Sequence, residues 1–131
     1  MRHLLALSLA VLIPATTALA QDVNGQEIYL EYCAGCHGAA AKGDGPLADL
    51  ISVEVPDLTS LSRQYGGAFP LVDVVRQIDG RVEMRGHGGP MPVFGALLSG
   101  ASAVVDTAAG DPIVTKAAVL AVADYLEGLQ R

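Results

Sequence analysis

The stretch Cys33-Ala34-Gly35-Cys36-His37, "CAGCH", decides how this chain is read. It holds the chain's only two cysteines, three positions apart, and a histidine directly follows the second. Four chemistries fit parts of the pattern: a zinc knuckle, a disulfide, a redox dithiol, and the thioether attachment of a haem. Each makes a different demand on the rest of the sequence, so the remaining residues choose among them.

The redox compartment comes first. Arg2 and His3 open the chain, and Leu4 to Ile13 is an unbroken run of apolar and small residues. Pro14 interrupts it, and Ala18-Leu19-Ala20 has the small-x-small pattern of a signal-peptidase site. Residues 1–20 therefore read as a secretory signal cleaved before Gln21, with residues 21–131 as one domain. The run is short for a bilayer span, which takes about 20 apolar residues. The expectation is an exported, periplasmic protein with no stable membrane association. Without Arg2, seven basic residues face all fourteen acidic ones. Such a surface argues against nucleic acid, whose phosphates demand a basic stripe, and against anionic lipid. In an oxidising compartment two cysteines would ordinarily pair. A bridge across two intervening residues closes too small a loop to constrain the unfolded chain much. Catalytic CxxC pairs usually sit in a βαβ setting, and this sequence shows no such pattern.

Outward from the motif, Gln26 to Tyr32 reads as a helix. Asn24 is its candidate N-cap, Glu27 stands three residues on, and Ile28, Tyr29 and Tyr32 fall at helical spacing. "GAAAKGDGP", Gly38 to Pro46, is a loop; Pro46 opens a short turn over Leu47 to Ile51; Val55 to Gly67 is rich in turn residues. Phe69 to Ile78 is a second helix, with Pro70 at its first position. Leu71, Val74, Val75 and Ile78 share one face, Asp73, Arg76 and Gln77 face water, and Gly80 is the stop. "RGHGGPMPVFG", Arg85 to Gly95, cannot be regular structure, and Ala96 to Gly110 is mostly small residues. The last helix starts at Asp111-Pro112 or is capped by Thr115, carries Val119, Val122, Ala123 and Leu126 as a stripe, and stops at Gly128. No β-alternation stands out. The expected fold is all-α: three to four short helices with long loops. Long ordered loops in a compact domain need a reason. A large, flat, apolar group held inside would organise them and thicken a core short of aromatics.

C-x-x-C-H is the attachment sequence of c-type haem. Each thiol adds its S–H across one of the two vinyl groups of the porphyrin. Two intervening residues let a helical turn present both sulfurs to one face, and His37 then points its imidazole at the iron. Ala34 and Gly35 are small enough to let the macrocycle lie close. Zinc needs four ligands, commonly in two pairs, and the chain after the signal offers only His87 in addition. A dithiol leaves His37 without a role.

With these residues in place, the chain resembles the class I cytochromes c, in particular small bacterial periplasmic mono-haem members. Gly25 and Tyr29 stand eight and four residues before Cys33, as in that family, and Gly45-Pro46 matches its Gly-Pro after the haem histidine. "CHGAAAKGDGP", "PDLT" and the later Met-Pro are similar too. The resemblance implies the cytochrome c fold, with N- and C-terminal helices crossing at Gly25 against an aromatic, for which Tyr125 is the candidate. It implies one covalent haem c on Cys33 and Cys36, with loops wrapped around it. It implies that the Pro46 carbonyl accepts a hydrogen bond from the second ring nitrogen of His37, fixing its tautomer. Leu58, Val93 and Phe94, beside the matching motifs, are expected to line the pocket.

His37 fills one axial position, and Met84, His87 and Met91 compete for the other. Met91 is the choice: Pro90 and Pro92 stiffen the backbone around it, and it sits where the family carries its axial methionine. Met84 reads as a core gap-filler and His87 as a supporting or surface histidine. Arg63, Tyr65, Arg81 and Arg85 are candidates for the haem carboxylates, which arginine matches bidentately, although Arg81 reads more simply as a solvated charge. His/Met ligation closes both axial positions and implies a one-electron carrier rather than an enzyme, with transient redox-protein partners. The alternative is a haem c subunit of a periplasmic dehydrogenase or sulfur-compound oxidising complex, and an open iron would instead imply a sensor. Unlike family members that ring the haem edge with lysines, this chain has only Lys42 and Lys116.

Overall fold

Helix α1 (Gly25–Tyr32) starts where its cap dictates: the Asn24 carboxamide oxygen accepts from Gln26 N at 3.1 Å and Glu27 N at 3.3 Å. The computed structural model describes residues 23–81 and 91–131. The expected signal over 1–20 and Met84, Arg85 and His87 lie outside the described residues. α1 passes through Cys33 into the single turn α2 (Ala34–His37), which Gly38 ends at φ 78. A 3-10 turn follows at Ala48–Leu50 and a second at Leu58–Ser60, capped by the Asp57 carboxylate, which accepts from Thr59 N at 2.9 Å and Thr59 Oγ1 at 2.6 Å. Then come α3 (Leu61–Gln64), α4 (Leu71–Asp79), strands β1 (Ser102–Val105) and β2 (Ile113–Lys116), and α5 (Ala117–Gly128).

The core forms where α1 and α4 pack on α5. Gly25 makes the first contact possible: a Cβ there would overlap the Ala121 carbonyl, so only glycine lets the two helix backbones touch. One turn on, the Tyr29 and Tyr125 rings meet with centroids 5.3 Å apart, tilted by 49°. Tyr29, Val75, Val119 and Val122 are the largest fully buried side chains, one or two from each of the three helices. The expected crossing of N- and C-terminal helices is therefore present.

Within this mostly helical architecture two details differ from expectation. Among the described residues there are five α-helices, where three to four were expected, because the turn-rich stretch before residue 67 winds into α3. There is also a β-hairpin where no β-alternation was apparent. β1 and β2 pair antiparallel with Val104 opposite Val114 and Val105 opposite Ile113. The alternation hides because both faces carry valine: Val105, Ile113 and Thr115 are buried, whereas Val104 and Val114 are 60% and 53% exposed. The hairpin also moves the start of the last helix. Thr115 does not cap it; its hydroxyl donates to Asp79 Oδ2 at 2.8 Å, and α5 opens after Lys116 with no side-chain cap. Pro70 is the N-cap of α4 rather than its first helical residue, and Gly80 closes the helix in the left-handed region. There Gly80 N donates to Gln77 O and Arg81 N to Arg76 O, at 3.2 and 2.8 Å, which fixes where Arg81 emerges.

Candidate cofactor site

Most of the helices contribute to one wall. The end of α1, the turn α2, the segment from Pro56 to Tyr65, α4, Met91 and the last turns of α5 enclose a cavity of about 870 Å³. That is far larger than the packing voids of a protein interior and lies in the range of ligand pockets, about 300–1,000 Å³. A smaller compartment of about 100 Å³ adjoins it, lined by Tyr32, Cys36, Val53, Val55, Pro92 and Phe94 among others. Cys33, His37, Pro56 and Met91 line both compartments. The motif cysteine, the histidine and the methionine thus converge from two segments far apart in sequence.

His37 is held from its backbone. Its N–H donates to Cys33 O at 3.0 Å and its carbonyl accepts from Gly43 N at 2.8 Å. Its ring is buried, and Nδ1 has no hydrogen-bond partner among the described residues. Burial pushes its pKa below the ordinary histidine value, with the Pro56 carbonyl opposing. The ring is therefore favoured neutral, the form that ligates metal. The expected hydrogen bond to the Pro46 carbonyl is not made; Pro56 supplies the backbone carbonyl beside the ring. Gly45 and Pro46 act from outside the cavity. Gly45 N donates to Cys36 O at 3.1 Å and Leu47 N to Gly35 O at 2.8 Å. A Cβ on Gly45 would lie 2.5 Å from Gly35 O and 2.6 Å from Ala34 O, so the loop can lie on α2 only as glycine.

Both cysteines stand free. Burial, and secondarily the charge of Cys36, pushes the Cys33 thiol up to about 11. A redox dithiol needs the opposite shift, toward thiolate, so the environment disfavours that reading of the motif. Tyr29 braces the site from behind: its hydroxyl donates to Gly38 O at 2.7 Å and joins α1 to the end of α2.

The remaining expectations divide. Leu58 and Tyr65 line the larger cavity and Phe94 the smaller, where its ring meets Tyr32 edge-on at 6.5 Å. Val93 is outside both and lies against Gly80. Arg63 is exposed and apart from the lining; Arg76 and Arg81 are the arginines in the wall. Arg81 is no simple surface charge. Its Nε is 3.3 Å from Asp79 Oδ2 and its Nη2 donates to Val114 O at 2.6 Å, so the hairpin and α4 hold the guanidinium between them. Sequence reasoning missed Arg76 and Gln77, whose Nε2 stands 3.9 Å from Met91 Sδ. A signal was present: Val74, Gln77, Ile78 and Arg81 follow i, i+3, i+4, i+7 and all line the cavity.

These residues fit a covalently held haem. The cavity is mostly apolar, and the His37 ring, the Met91 thioether, Cys33 and the two arginines Arg76 and Arg81 all line it. Among the described residues no helix is long and apolar enough to cross a membrane.

The model of the family described as Cytochrome c matches residues 23–130. A curated relative, described as the cbb3-type cytochrome c oxidase subunit CcoP of Rhodobacter capsulatus, is 32% identical over 105 residues, 80% of this chain and 28% of its own length. A second protein of the same description, from a designated strain of that species, is 28% identical over 110 residues, 84% of this chain and 30% of its own length. The chain thus spans under a third of these relatives. No solved structure matches it.

Proposed function

The chain belongs to the cytochrome c family, whose trade is electron transfer through covalently bound haem c, and from that premise we propose a periplasmic one-electron carrier holding a single haem between His37 and Met91. The observation that carries this reading is the shared wall: His37 and Met91 line both compartments of one apolar cavity, with Cys33 at their junction. When bound, the haem supplies an iron that accepts and releases one electron.

The chain's own residues do the rest. Cys33 and Cys36 would tether the group through two thioether bonds, each thiol S–H adding across a vinyl C=C with no net oxidation. His37 is presented neutral by burial, with its backbone locked to Cys33 and Gly43. Met91 offers a soft sulfur, which favours the reduced iron and raises the potential. Bound by both residues, the iron would have no coordination position left for dioxygen or peroxide. Arg76, in the cavity wall, would offer its guanidinium to the haem carboxylates, while Arg81 is tied to Asp79 and Val114. The apolar walls around Leu58, Val74 and Leu126 exclude water and keep the charge change inexpensive in rearrangement.

The assignment is tested by the optical spectrum of oxidised holo-protein beside its Met91→Ala variant. The sulfur-to-iron charge-transfer band disappears in the variant; a surviving band rules out Met91 as the ligand. Carbon monoxide binding by the native reduced protein would instead support an open iron and a sensor.

The likeness to CcoP favours a second reading, in which the same site serves as the resident electron-transfer unit of an oxidoreductase complex. Purification from native membranes and periplasm at physiological salt separates the two. A stoichiometric partner that survives gel filtration decides for the subunit.

A further inference from the structure

The hairpin takes no part in the cofactor site: neither compartment is lined by β1 or β2. Its backbone shows which of its edges is closed. Ala117 N donates to Ala101 O at 2.8 Å, so 101 and 117 are a hydrogen-bonded pair. In an antiparallel ladder such pairs alternate with unbonded ones. Ser102 stands opposite Lys116 and Val104 opposite Val114, so these are the unbonded pairs, and their N–H and C=O groups point away from the partner strand. On β2 the outward Val114 carbonyl is taken by Arg81 Nη2 at 2.6 Å, and α4 lies against that strand. On β1 the outward groups of Ser102 and Val104 have no backbone partner among the described residues.

An open edge is ordinarily blunted by lysine, proline or a bulge. β1, Ser-Ala-Val-Val, has none of these. Its solvent face is apolar as well: Val104 and Val114, both exposed, stand directly opposite each other. The charges lie at the ends. Lys116 is opposite Ser102 at one end, and exposed Asp106 follows Val105 at the other. By alternation Ser102, Val104 and Asp106 share one face of the hairpin with Val114 and Lys116.

We propose that β1 is a dimer joint, pairing antiparallel with β1 of a second copy about a dyad at Val104. The outward groups set the register. Val104 bonds Val104 of the second copy through both N–H and C=O, and Ser102 bonds Asp106 of the second copy at each end. Val114 and Val104 of the two copies then form one row of valines across the joined sheet. Charge complementarity selects a second copy as the occupant. Lys116 of one copy and Asp106 of the other fall two strands apart on the same face, about 10 Å between backbones, close enough for the side chains to meet over Ser102. The dyad makes this pair twice. Arg81 closes the β2 edge, so pairing stops at a dimer and does not run on into a fibre. A joint of one strand pair is smaller than a stable interface, so the dimer is reversible and follows mass action. It goes beyond the carrier reading and does not depend on it.

The test is sedimentation velocity of the holo-protein over a dilution series at low and high salt. The sedimentation coefficient falls from the dimer value to the monomer value on dilution, and salt weakens association. Val104→Pro abolishes association, because proline removes an outward N–H that β2 does not use. Retained hydrogen-exchange protection at the Ala103 and Val105 amides, which face β2, shows that the hairpin itself survives. Asp106→Lys lowers the low-salt association constant about tenfold, since two exposed ion pairs per dimer become repulsions. Asp106→Lys/Lys116→Asp restores it. A monomer at every concentration, a dimer untouched by Val104→Pro, or a charge swap that fails to restore association would overturn the proposal. So would a chain that stays monomeric alone and binds a different protein through β1. None of these outcomes bears on the charge-transfer band that tests Met91.

Discussion

Gly25→Ala is the most demanding test of the helix crossing on which the site is built. The added methyl would overlap the Ala121 carbonyl oxygen and stand 3.1 Å from Val122 N. Both obstacles are backbone, so no side-chain rotation relieves them, and α1 must move off α5. That movement loosens the contact of the Tyr29 and Tyr125 rings, 5.3 Å apart at their centroids. Overpacking of this kind costs about 1–3 kcal/mol. Replacing a helical glycine by alanine returns about 0.5–1 kcal/mol, leaving a mid-range net loss of about 1.25 kcal/mol. For a domain of this size that corresponds to a melting temperature lower by roughly 5–10 °C. The measurement is thermal and guanidinium unfolding of holo-protein followed by far-UV circular dichroism, with unchanged m-values to show that the unfolded state is the same. Gly128→Ala is the control: the same chemical change in α5, with no heavy atom within 4 Å of the new carbon. It should be neutral or slightly stabilising. If Gly25→Ala behaves like Gly128→Ala, the backbone-to-backbone contact is not what positions α1, and the crossing is set by other contacts.

Three further outcomes follow from the same geometry. Tyr29→Phe leaves the buried Gly38 carbonyl without its 2.7 Å donor and costs about 1–3 kcal/mol at neutral pH. Because burial raises the Tyr29 pKa above the ordinary 10.0, wild type holds the associated stability below pH 10 and loses it as pH climbs toward the folded value; the urea midpoints of wild type and Tyr29→Phe should converge above pH 10. Thr115→Val removes the hydroxyl that donates to the almost fully buried Asp79 carboxylate; a loss of about 1.5–3 kcal/mol should appear as faster hydrogen exchange at the β2 amides, and unchanged exchange would mean that Asp79 does not anchor the hairpin. Removing the cofactor with Cys33→Ser/Cys36→Ser leaves the cavity of about 870 Å³ without its covalent occupant; near-UV dichroism should be largely lost while much far-UV signal remains, and a fully native near-UV spectrum would show that the fold stands without haem.

The parts of the fold that could be read from sequence are those whose signals are local. Asn24 sits at its cap because three consecutive residues specify it, and the α4 face is visible because its apolar residues recur at helical spacing. The grouping of Cys33, Cys36 and His37 was legible because the CxxCH spacing falls on one helical turn, and the structure places them there. The parts that escaped depend on partners far away in the chain. Arg76 on α4 and Arg81 just past its end look like solvent charges, and only the Asp79 carboxylate and the Val114 carbonyl reveal that Arg81 is held. The hairpin escaped because its outward positions are valines, which erases the period of two. Thr115 is a plausible cap in sequence, but its hydroxyl is taken by Asp79, thirty-six residues earlier. The resemblance to cytochromes c pointed to Pro46 for the backbone carbonyl beside His37, but that carbonyl comes from Pro56, which lies in a turn-rich stretch with no periodic signal.

The site and the core are not separate structures. Tyr29 and Val122 are fully buried in the helix crossing and also line the larger cavity, and Ile78 and Leu126 join them from α4 and α5. One flank of each side chain packs on a neighbouring helix and the other faces the cofactor's space. A change at the crossing therefore reaches the haem pocket through the same atoms, without an intervening chain of contacts. This arrangement explains how a short chain with two phenylalanines, four tyrosines and no tryptophan can order such long loops. A haem held there would stand where a larger protein places aromatic side chains, and Cys33 and Cys36 would make that part of the core covalent. It also gives Gly25 a role far from any chemistry: it sets how closely α1 approaches α5, the two helices that bring Tyr29, Val122 and Leu126 to the cavity wall.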